Sequence, residues 1–422
     1  MSMPASAPID GTVFHDRLHA LSDEPLDWSF KGIPARWWGS TPAQVIAQRP
    51  RLFDAGPIGP VCVIYDDALT HNVQTMARWC HERGVELAPH GKTHMSPQLA
   101  ARQLTAGAYA ITVATIGQAA VYRAFGVSAL VLANELVDPA GLRWLAAELD
   151  RDPDLRFMCW VDSVRGVELM THALAGADRP VDVCVEVGPP GGRAGCRSVA
   201  AAVEVARAAV ASPRLRLVGV AGYEAAVSQE LTGDARAVVA AHLADLRTAV
   251  QQLSGLIESD EAVVSAGGST YFDEVAEALT GWPPGITVRT ILRSGCYITH
   301  DHGLYARTSP LTRGGRDGLQ PALQVLAQVV SRPEPGLAIV TMGRRDVPSD
   351  QGLPVVLAPG SATVTKLNDQ HAYLRLEPSD TVEVGQWLRF GISHPCTVFD
   401  KWRLIPVLDS EDRVLDLIRT YF

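Results

Sequence analysis

Four short segments carry residues whose types and spacing could do chemistry. The first reads Leu87-Ala-Pro-His-Gly-Lys-Thr-His-Met, with Lys92 set among Pro89, Gly91 and two imidazoles, His90 and His94. In a partly desolvated, cation-lined pocket the amine of Lys92 would lose basicity and become the nucleophile that a Schiff base requires. A solvated loop lysine is the other reading. The second, Ser265-Ala-Gly-Gly-Ser-Thr, has two glycines that let backbone approach a ligand closely. The Ser269 and Thr270 hydroxyls and the N–H groups of a following helix suit a phosphate, although a plain tight turn has the same composition. The third, Val185-Glu-Val-Gly-Pro-Pro-Gly-Gly-Arg-Ala-Gly, holds Arg193 in a glycine-rich loop. Its guanidinium could anchor an anionic cofactor oxygen or a substrate carboxylate, or serve the loop alone. The fourth is Ser393-His-Pro-Cys-Thr-Val-Phe-Asp-Lys-Trp. In a strand, His394 and Cys396 would point to one face and could converge on one ion. Imidazole with thiolate favours Zn2+ over Mg2+ or Mn2+, and with two ligands in view such a site would be open and catalytic. Two packing residues are the alternative.

These segments need a scaffold. Between about residues 60 and 295, short apolar runs alternate with longer amphipathic, Ala-rich stretches. The runs are Val61–Tyr65, Val85–Ala88, Ala110–Ala114, Ala129–Ala133, Arg156–Val161, Val181–Val187, Leu215–Gly222, Ala262–Ala266 and Val288–Leu292. Such β-branched runs suit parallel strands buried on both faces. Eight or nine βα units of this length predict a (β/α)8 barrel, an α/β fold, over residues 56–305; a doubly wound sheet is the alternative. Strand C-termini of a barrel face its active site, which is where Lys92 would lie. After Asp301 the rhythm changes to short strands: Pro321–Val330, Leu337–Met342, Pro354–Leu357, His371–Leu376 and Trp387–Ile392. No long helix is expected there, and residues 306–422 read as a C-terminal all-β domain carrying the candidate metal site. Residues 1–55 form an N-terminal extension in which Trp28, Trp37, Trp38 and Pro34 point to a packed, ordered segment.

Composition narrows the function classes. The 422 residues are 47% hydrophobic and 20% charged, which excludes wholesale disorder. The net charge of −9 and the lack of any dense Lys/Arg run argue against a nucleic-acid partner. No run of about 18 apolar residues points to a membrane. The start lacks a basic and apolar leader pattern. Seven cysteines, an odd number with no C-x-x-C, argue against a disulfide framework and fit a reducing cytoplasm.

Together, Pro89-His90-Gly91-Lys92-Thr93-His94 and the His-Pro-Cys-Thr-Val-Phe-Asp-Lys-Trp segment resemble motifs of the D-serine dehydratase and D-threonine aldolase family. These are fold type III pyridoxal-phosphate enzymes with an alanine racemase-like barrel. The resemblance spans about residues 55–405, and the N-terminal region is similar to that of bacterial members described as amino-acid deaminases. It implies that Lys92 bears pyridoxal 5'-phosphate as a Schiff base, with Arg193 near the phenolic oxygen and Tyr223 by the ring. It also implies a phosphate held by Gly267, Gly268 and Ser269, joined by Gly295 and Tyr297, and zinc held by His394 and Cys396. The implied activity is water elimination from a D-3-hydroxy amino acid, in a homodimer. A metal-dependent D-threonine aldolase, a racemase and a non-catalytic pyridoxal-phosphate carrier are the alternatives. Two departures matter. Aldolase-like members commonly continue Gly-Tyr-Glu-Gly-His, where this chain has Ala225-Ala226, and they tend to have a carboxylate at the position of Cys396. His300, Asp301 and His302 form a cluster near the domain junction, read as loop packing or as support for the site, with direct catalysis as the alternative.

Overall fold

A computed structural model describes residues 11–313, 318–358 and 361–422. The first nine strands form where the apolar runs lie. They are β1 (Val61–Tyr65), β2 (Glu86–Leu87), β3 (Ile111–Val113), β4 (Ala129–Glu135), β5 (Arg156–Val161), β6 (Val181–Val187), β7 (Leu215–Gly222), β8 (Ala262–Ala266) and β9 (Val288–Leu292). The chain divides into two compact units. One contains Ala77–Lys92 and Gln103–Gly295; the other contains His15–Met76, Thr93–Arg102 and Cys296–Phe422.

The first unit is the expected parallel barrel. Its eight strands run in the order β2-β9-β8-β7-β6-β5-β4-β3. The ring closes where the chain just past β2 meets the β3 segment: Tyr109 N–H donates to Leu87 O (2.7 Å) and Thr112 N–H to Pro89 O (2.9 Å). The interior is filled by Ala88, Ala110, Ala129 and Ala221 together with Val131, Val218, Val263 and Ile291, around Met158 and Trp160. Helices follow the strands, and their starts are encoded locally. Thr115, Asp138, Ser163, Ser198 and Thr232 each accept a hydrogen bond from a backbone N–H in the first turn. Such caps contribute about 1 kcal/mol each.

The second unit corrects the expected boundary. The sequence reading made Val61–Tyr65 the first barrel strand. Instead β1 lies in a nine-stranded sheet, antiparallel to β10 (Leu323–Glu334) and parallel to β16 (Leu404–Leu408). An all-apolar strand needs cover on both faces, and either a barrel or a central sheet position satisfies it. β11 (Leu337–Val340), β12 (Val355–Ala358), β13 (Thr363–Leu367), β14 (Ala372–Arg375), β15 (Trp387–Gly391) and β17 (Val414–Arg419) complete the sheet. β13, β16 and β17 were not expected. Pro406 in the middle of β16 argues against a strand. Its missing N–H is tolerated in a strand that pairs with β17 on one side and, through Val407 and Leu408, with β1 on the other.

The N-terminal extension belongs to this second unit from His15 onward; residues 1–10 lie outside the described residues. Leu26, Phe30, Ile33, Trp37, Val45 and Leu52 pack in one cluster with Val61, Val63, Leu326, Leu404 and Leu417. Trp37 fits the expectation of a packed segment, whereas Trp28 and Trp38 are exposed. The expectation of no long helix after Asp301 holds: the described helices there are Leu304–Thr308 and Cys396–Phe399.

Candidate active site

In the barrel unit the chemistry-bearing residues follow the carboxyl ends of the strands, as barrel architecture dictates. The lysine segment leaves β2 and enters a tight helical turn, Gly91–Thr93. Gly91 is required there: a Cβ would lie 2.6 Å from the Tyr122 hydroxyl and 2.7 Å from Ile111, and the Tyr122 O–H donates to Gly91 O (2.9 Å). This anchoring fixes the backbone beneath Lys92. The side chain of Lys92 is exposed in the chain, not desolvated as the sequence reading supposed. His90, half-buried beside it, has a buried Nδ1 with no hydrogen-bond partner. Burial and then the positive charges of Lys92, Arg293 and Arg193 hold its imidazole well below the usual range, against the opposing effect of a Thr112 hydrogen bond. It is therefore a neutral imidazole at pH 7.

Arg193 stacks over the Tyr223 ring (4.8 Å) with a guanidinium nitrogen 3.9 Å from Glu186 Oε1. Both calls from the sequence therefore meet at one place. The glycine-rich loop that carries Arg193 closes on itself: a Cβ on Gly195, at φ +110°, would lie 2.4 Å from Gly188 N. Glu186 in turn shares a hydrogen bond with Glu135. Burial first, then that bond and the charges of Glu186 and Asp162, push Glu135 up to about 8.

The Gly267-Gly268 turn departs from expectation. Glu224, fully buried, accepts from Gly267 N–H (2.9 Å) and Gly268 N–H (2.7 Å). Those two donors are thereby committed to a carboxylate of this chain and not presented to a phosphate. The glycines are explained by space: a Cβ at Gly267 would meet Leu292 at 2.6 Å, and one at Gly268 would meet the Tyr223 ring at 2.9 Å. Half-buried Ser269 remains at the turn. Arg293, buried against the Trp160 ring, donates to Ser265 Oγ (2.6 Å) and Gly222 O (2.7 Å). Sequence reasoning assigned no role to Glu224 or Arg293, although Glu224 sits in the quoted Gly-Tyr-Glu and Arg293 opens Arg-Ser-Gly-Cys-Tyr. Gly295, the last residue of the barrel unit, and Tyr297, in the second unit, are both buried.

In the second unit the His-Pro-Cys segment is not a strand. β15 ends at Gly391, His394 takes a left-handed conformation (φ +71°), and Cys396 opens a short helix. The same-face argument for a strand therefore does not apply. What holds the segment is Asp301. Its Oδ2 accepts His394 N–H (2.8 Å), while Oδ1 accepts from Gly303, Tyr305 and Ala306. The support reading of Asp301 is thus the one its bonds match. Asp350, missed in the sequence because it lies 44 residues away, bonds His394 Nδ1 at 2.6 Å. Burial raises the Asp350 carboxyl, but the His394 hydrogen bond and charge outweigh it and leave it below the usual value. His300 and His302 are pushed down to about 4, chiefly by burial.

These observations bear on the two implied groups. A carboxylate on one imidazole nitrogen, leaving Nε2 for an ion, is the arrangement that orients metal-ligating histidines, and Cys396 supplies a thiol two residues on. The orphaned His90 nitrogen, the exposed Lys92 amine and the Arg193–Tyr223 stack are compatible with an aromatic anionic cofactor. Among the described residues no three His, Cys, Asp or Glu side chains are already gathered into a metal cluster.

Comparison with known proteins bears on the same residues. The family "Alanine racemase, N-terminal domain" matches residues 64–289, more than half of the chain, and "Putative serine dehydratase domain" matches residues 322–408. The chain is 30% identical to D-threonine aldolase of Arthrobacter sp. over 78% of its length and 83% of that protein's. It belongs to the D-serine dehydratase and D-threonine aldolase family of fold type III pyridoxal-phosphate enzymes. Within the family it is also 27% identical to D-threo-3-hydroxyaspartate dehydratase of Delftia sp. (strain HT23), over 69% of this chain and 73% of that one. The crystal structure of D-threonine aldolase from Filomicrobium marinum superposes with a TM-score of 0.75 at 25% identity, covering 86% of this chain and 95% of that one. The alanine racemase-like barrel with a separate C-terminal sheet domain is the family architecture. Among the described residues no helix is long and apolar enough to cross a membrane.

Proposed function

We propose that this family member is a pyridoxal-phosphate- and zinc-dependent lyase that eliminates water from a D-3-hydroxy amino acid such as D-serine, giving an oxo acid and ammonia. The observation that carries the dehydratase outcome is the thiol of Cys396 beside a carboxylate-oriented His394, where aldolase-like members tend to have a carboxylate. The pair Ala225-Ala226 in place of Gly-His supports the same reading.

When bound, the cofactor would supply an electron sink for charge developing at Cα, and zinc would supply a Lewis acid for the departing hydroxyl. The chain's own residues divide the remaining work. Lys92 Nζ is the attachment point and the base that takes the Cα proton. Its exposure gives it freedom to move between those tasks. Arg193, stacked on Tyr223, would hold the cofactor's phenolic oxygen, with Tyr223 beside the ring. Ser269, Gly295 and Tyr297 take the phosphate. Gly267 and Gly268 contribute the close approach of backbone, held in register by Glu224. Neutral His90 places no further positive charge beside the Lys92 amine. His394 and Cys396 hold the metal, with Asp350 fixing the imidazole tautomer and Asp301 fixing the backbone between them.

A second reading, carbon–carbon cleavage to glycine and an aldehyde, is favoured by the 30% identity to D-threonine aldolase. Product identification from D-threonine, with D-serine alongside, separates the two in cofactor-loaded, zinc-replete protein. Oxo acid and ammonia support the dehydratase. Glycine and an aldehyde overturn it and establish the aldolase.

A further inference from the structure

The strands of the barrel unit begin at a charged rim. Arg156 opens β5, and Asp182, Arg216 and Arg289 stand second in β6, β7 and β9. Tyr109 and Glu261 lie just before β3 and β8. Together these side chains line a cavity of about 360 Å³. It sits at the amino ends of the strands, whereas Lys92 and Arg193 follow the carboxyl ends of β2 and β6. We propose that this cavity is a binding site for a small organic monocarboxylate with an apolar body, its carboxylate held by Arg156. The inference does not depend on the reaction assigned above.

Size and polarity make the first part of the case. The floor is formed by buried Ala110, Ala129, Val131, Met158, Val218 and Val263. Barrel interiors are usually filled by bulky branched side chains, and Ala110 and Ala129 leave room at this end. Arg216 and Asp260, both exposed, open the rim to water. Small-molecule sites have volumes from about 300 Å³ upward, with mostly apolar walls and a few placed polar groups. An inorganic anion would meet only the rim, and a hydrocarbon only the floor. A carboxylate on an apolar body meets both.

Ion pairing singles out Arg156. Arg216 is bound through two nitrogens to Asp182 (2.6 and 2.8 Å), and Arg289 donates to Glu261 (2.8 Å), so these four charges cancel in pairs. Asp260 is solvated. Arg156 has no carboxylate partner among the described residues. It donates to Tyr109 O (3.3 Å), and its guanidinium lies over the Tyr109 ring (4.8 Å). The Arg289 guanidinium lies 5.1 Å from the same ring. Tyr109 thus holds Arg156 in place without neutralising it. A guanidinium has five N–H donors in a fork that matches a carboxylate, so one bond to a carbonyl leaves the rest for a ligand.

The test is isothermal titration of full-length, cofactor-loaded protein with 3-phenylpropionate, which has no amino group to react with the cofactor. Saturable binding at one site is expected. Arg156→Met should weaken it about 10–100-fold, the usual loss for hydrogen bonds to a charged group. Ala129→Leu, which fills the floor, should abolish it, and Arg193→Ala should leave it unchanged. 3-Phenylpropanol and inorganic phosphate, which each carry half of the ligand's chemistry, should bind more weakly by about tenfold or more. Phenylglyoxal labelling of the wild type, read by peptide mass spectrometry, keeps the test independent of how any variant folds: 3-phenylpropionate should protect Arg156 and not Arg193. No binding, equal affinity in Arg156→Met, or protection of Arg193 in place of Arg156 overturns the inference.

Discussion

Glu224 is the strongest test of how the barrel holds its candidate phosphate turn. The side chain is fully buried, and its two oxygens accept from Gly267 N–H and Gly268 N–H at 2.9 and 2.7 Å. Glu224→Gln keeps the shape but replaces one acceptor by an amide donor that faces a backbone N–H. One bond to a charged acceptor is lost, worth about 1.5–3 kcal/mol, and the orphaned N–H stays buried. The same change removes the negative charge that supports Arg293 against its burial, the largest effect on that group. The expected destabilisation is about 2–3 kcal/mol for Glu224→Gln, and about twice that for Glu224→Ala, which orphans both N–H groups. A tenfold change in an equilibrium constant is about 1.4 kcal/mol. If half of the lost energy relaxes the turn, cofactor affinity falls roughly tenfold. The urea midpoint of the cofactor-free protein measures the first quantity, and an absorbance titration with pyridoxal phosphate measures the second. A wild-type midpoint together with wild-type affinity in Glu224→Gln would refute the argument that this carboxylate holds the turn.

Three further predictions follow from other parts of the molecule. Lys92→Ala should abolish the lysine-linked cofactor absorbance and the activity while shifting the melting temperature little, because the side chain is exposed; an unchanged spectrum would remove Lys92 from its role. Glu135, at about 8 in the folded chain, is raised above its ordinary 4.5, so the unfolded chain holds fewer protons between those values. Its contribution is fully present below pH 4.5 and is lost as pH rises through 8, so Glu135→Gln should gain stability relative to wild type across that window, read from urea midpoints; parallel curves would contradict it. Asp301→Asn keeps one acceptor but presents a donor to another of its backbone partners, including His394 N–H. Zinc affinity, measured by chelator competition, should fall about 10–100-fold, the usual cost of losing support behind a metal ligand; unchanged affinity would detach Asp301 from the metal site.

Much of this protein is legible in one dimension. A run such as Val181–Val187 is apolar, β-branched and bounded by turn residues, so its strand form follows from local chemistry and its burial on both faces from the lack of polar alternation. The helix starts at Ser163 and Ser198 are likewise written in the capping residue itself. Lys92, Arg193 and the His394–Cys396 segment could be found because each joins a reactive side chain to glycine or proline, which disfavour ordinary helix or strand. Other features needed the folded chain. Whether Val61–Tyr65 closes a barrel or joins a sheet is not in its composition, because both positions bury both faces; pairing with β10 and β16 decides it. Glu224 reads as an ordinary charged residue until the turn after β8 brings two glycine amides to it. Asp350 and His394 are separated by 44 residues, and no local period connects them. Periodicity reports which face of an element is buried. The partner that buries it, and the distant side chain that meets it there, are set by long-range packing, which only the tertiary structure decides.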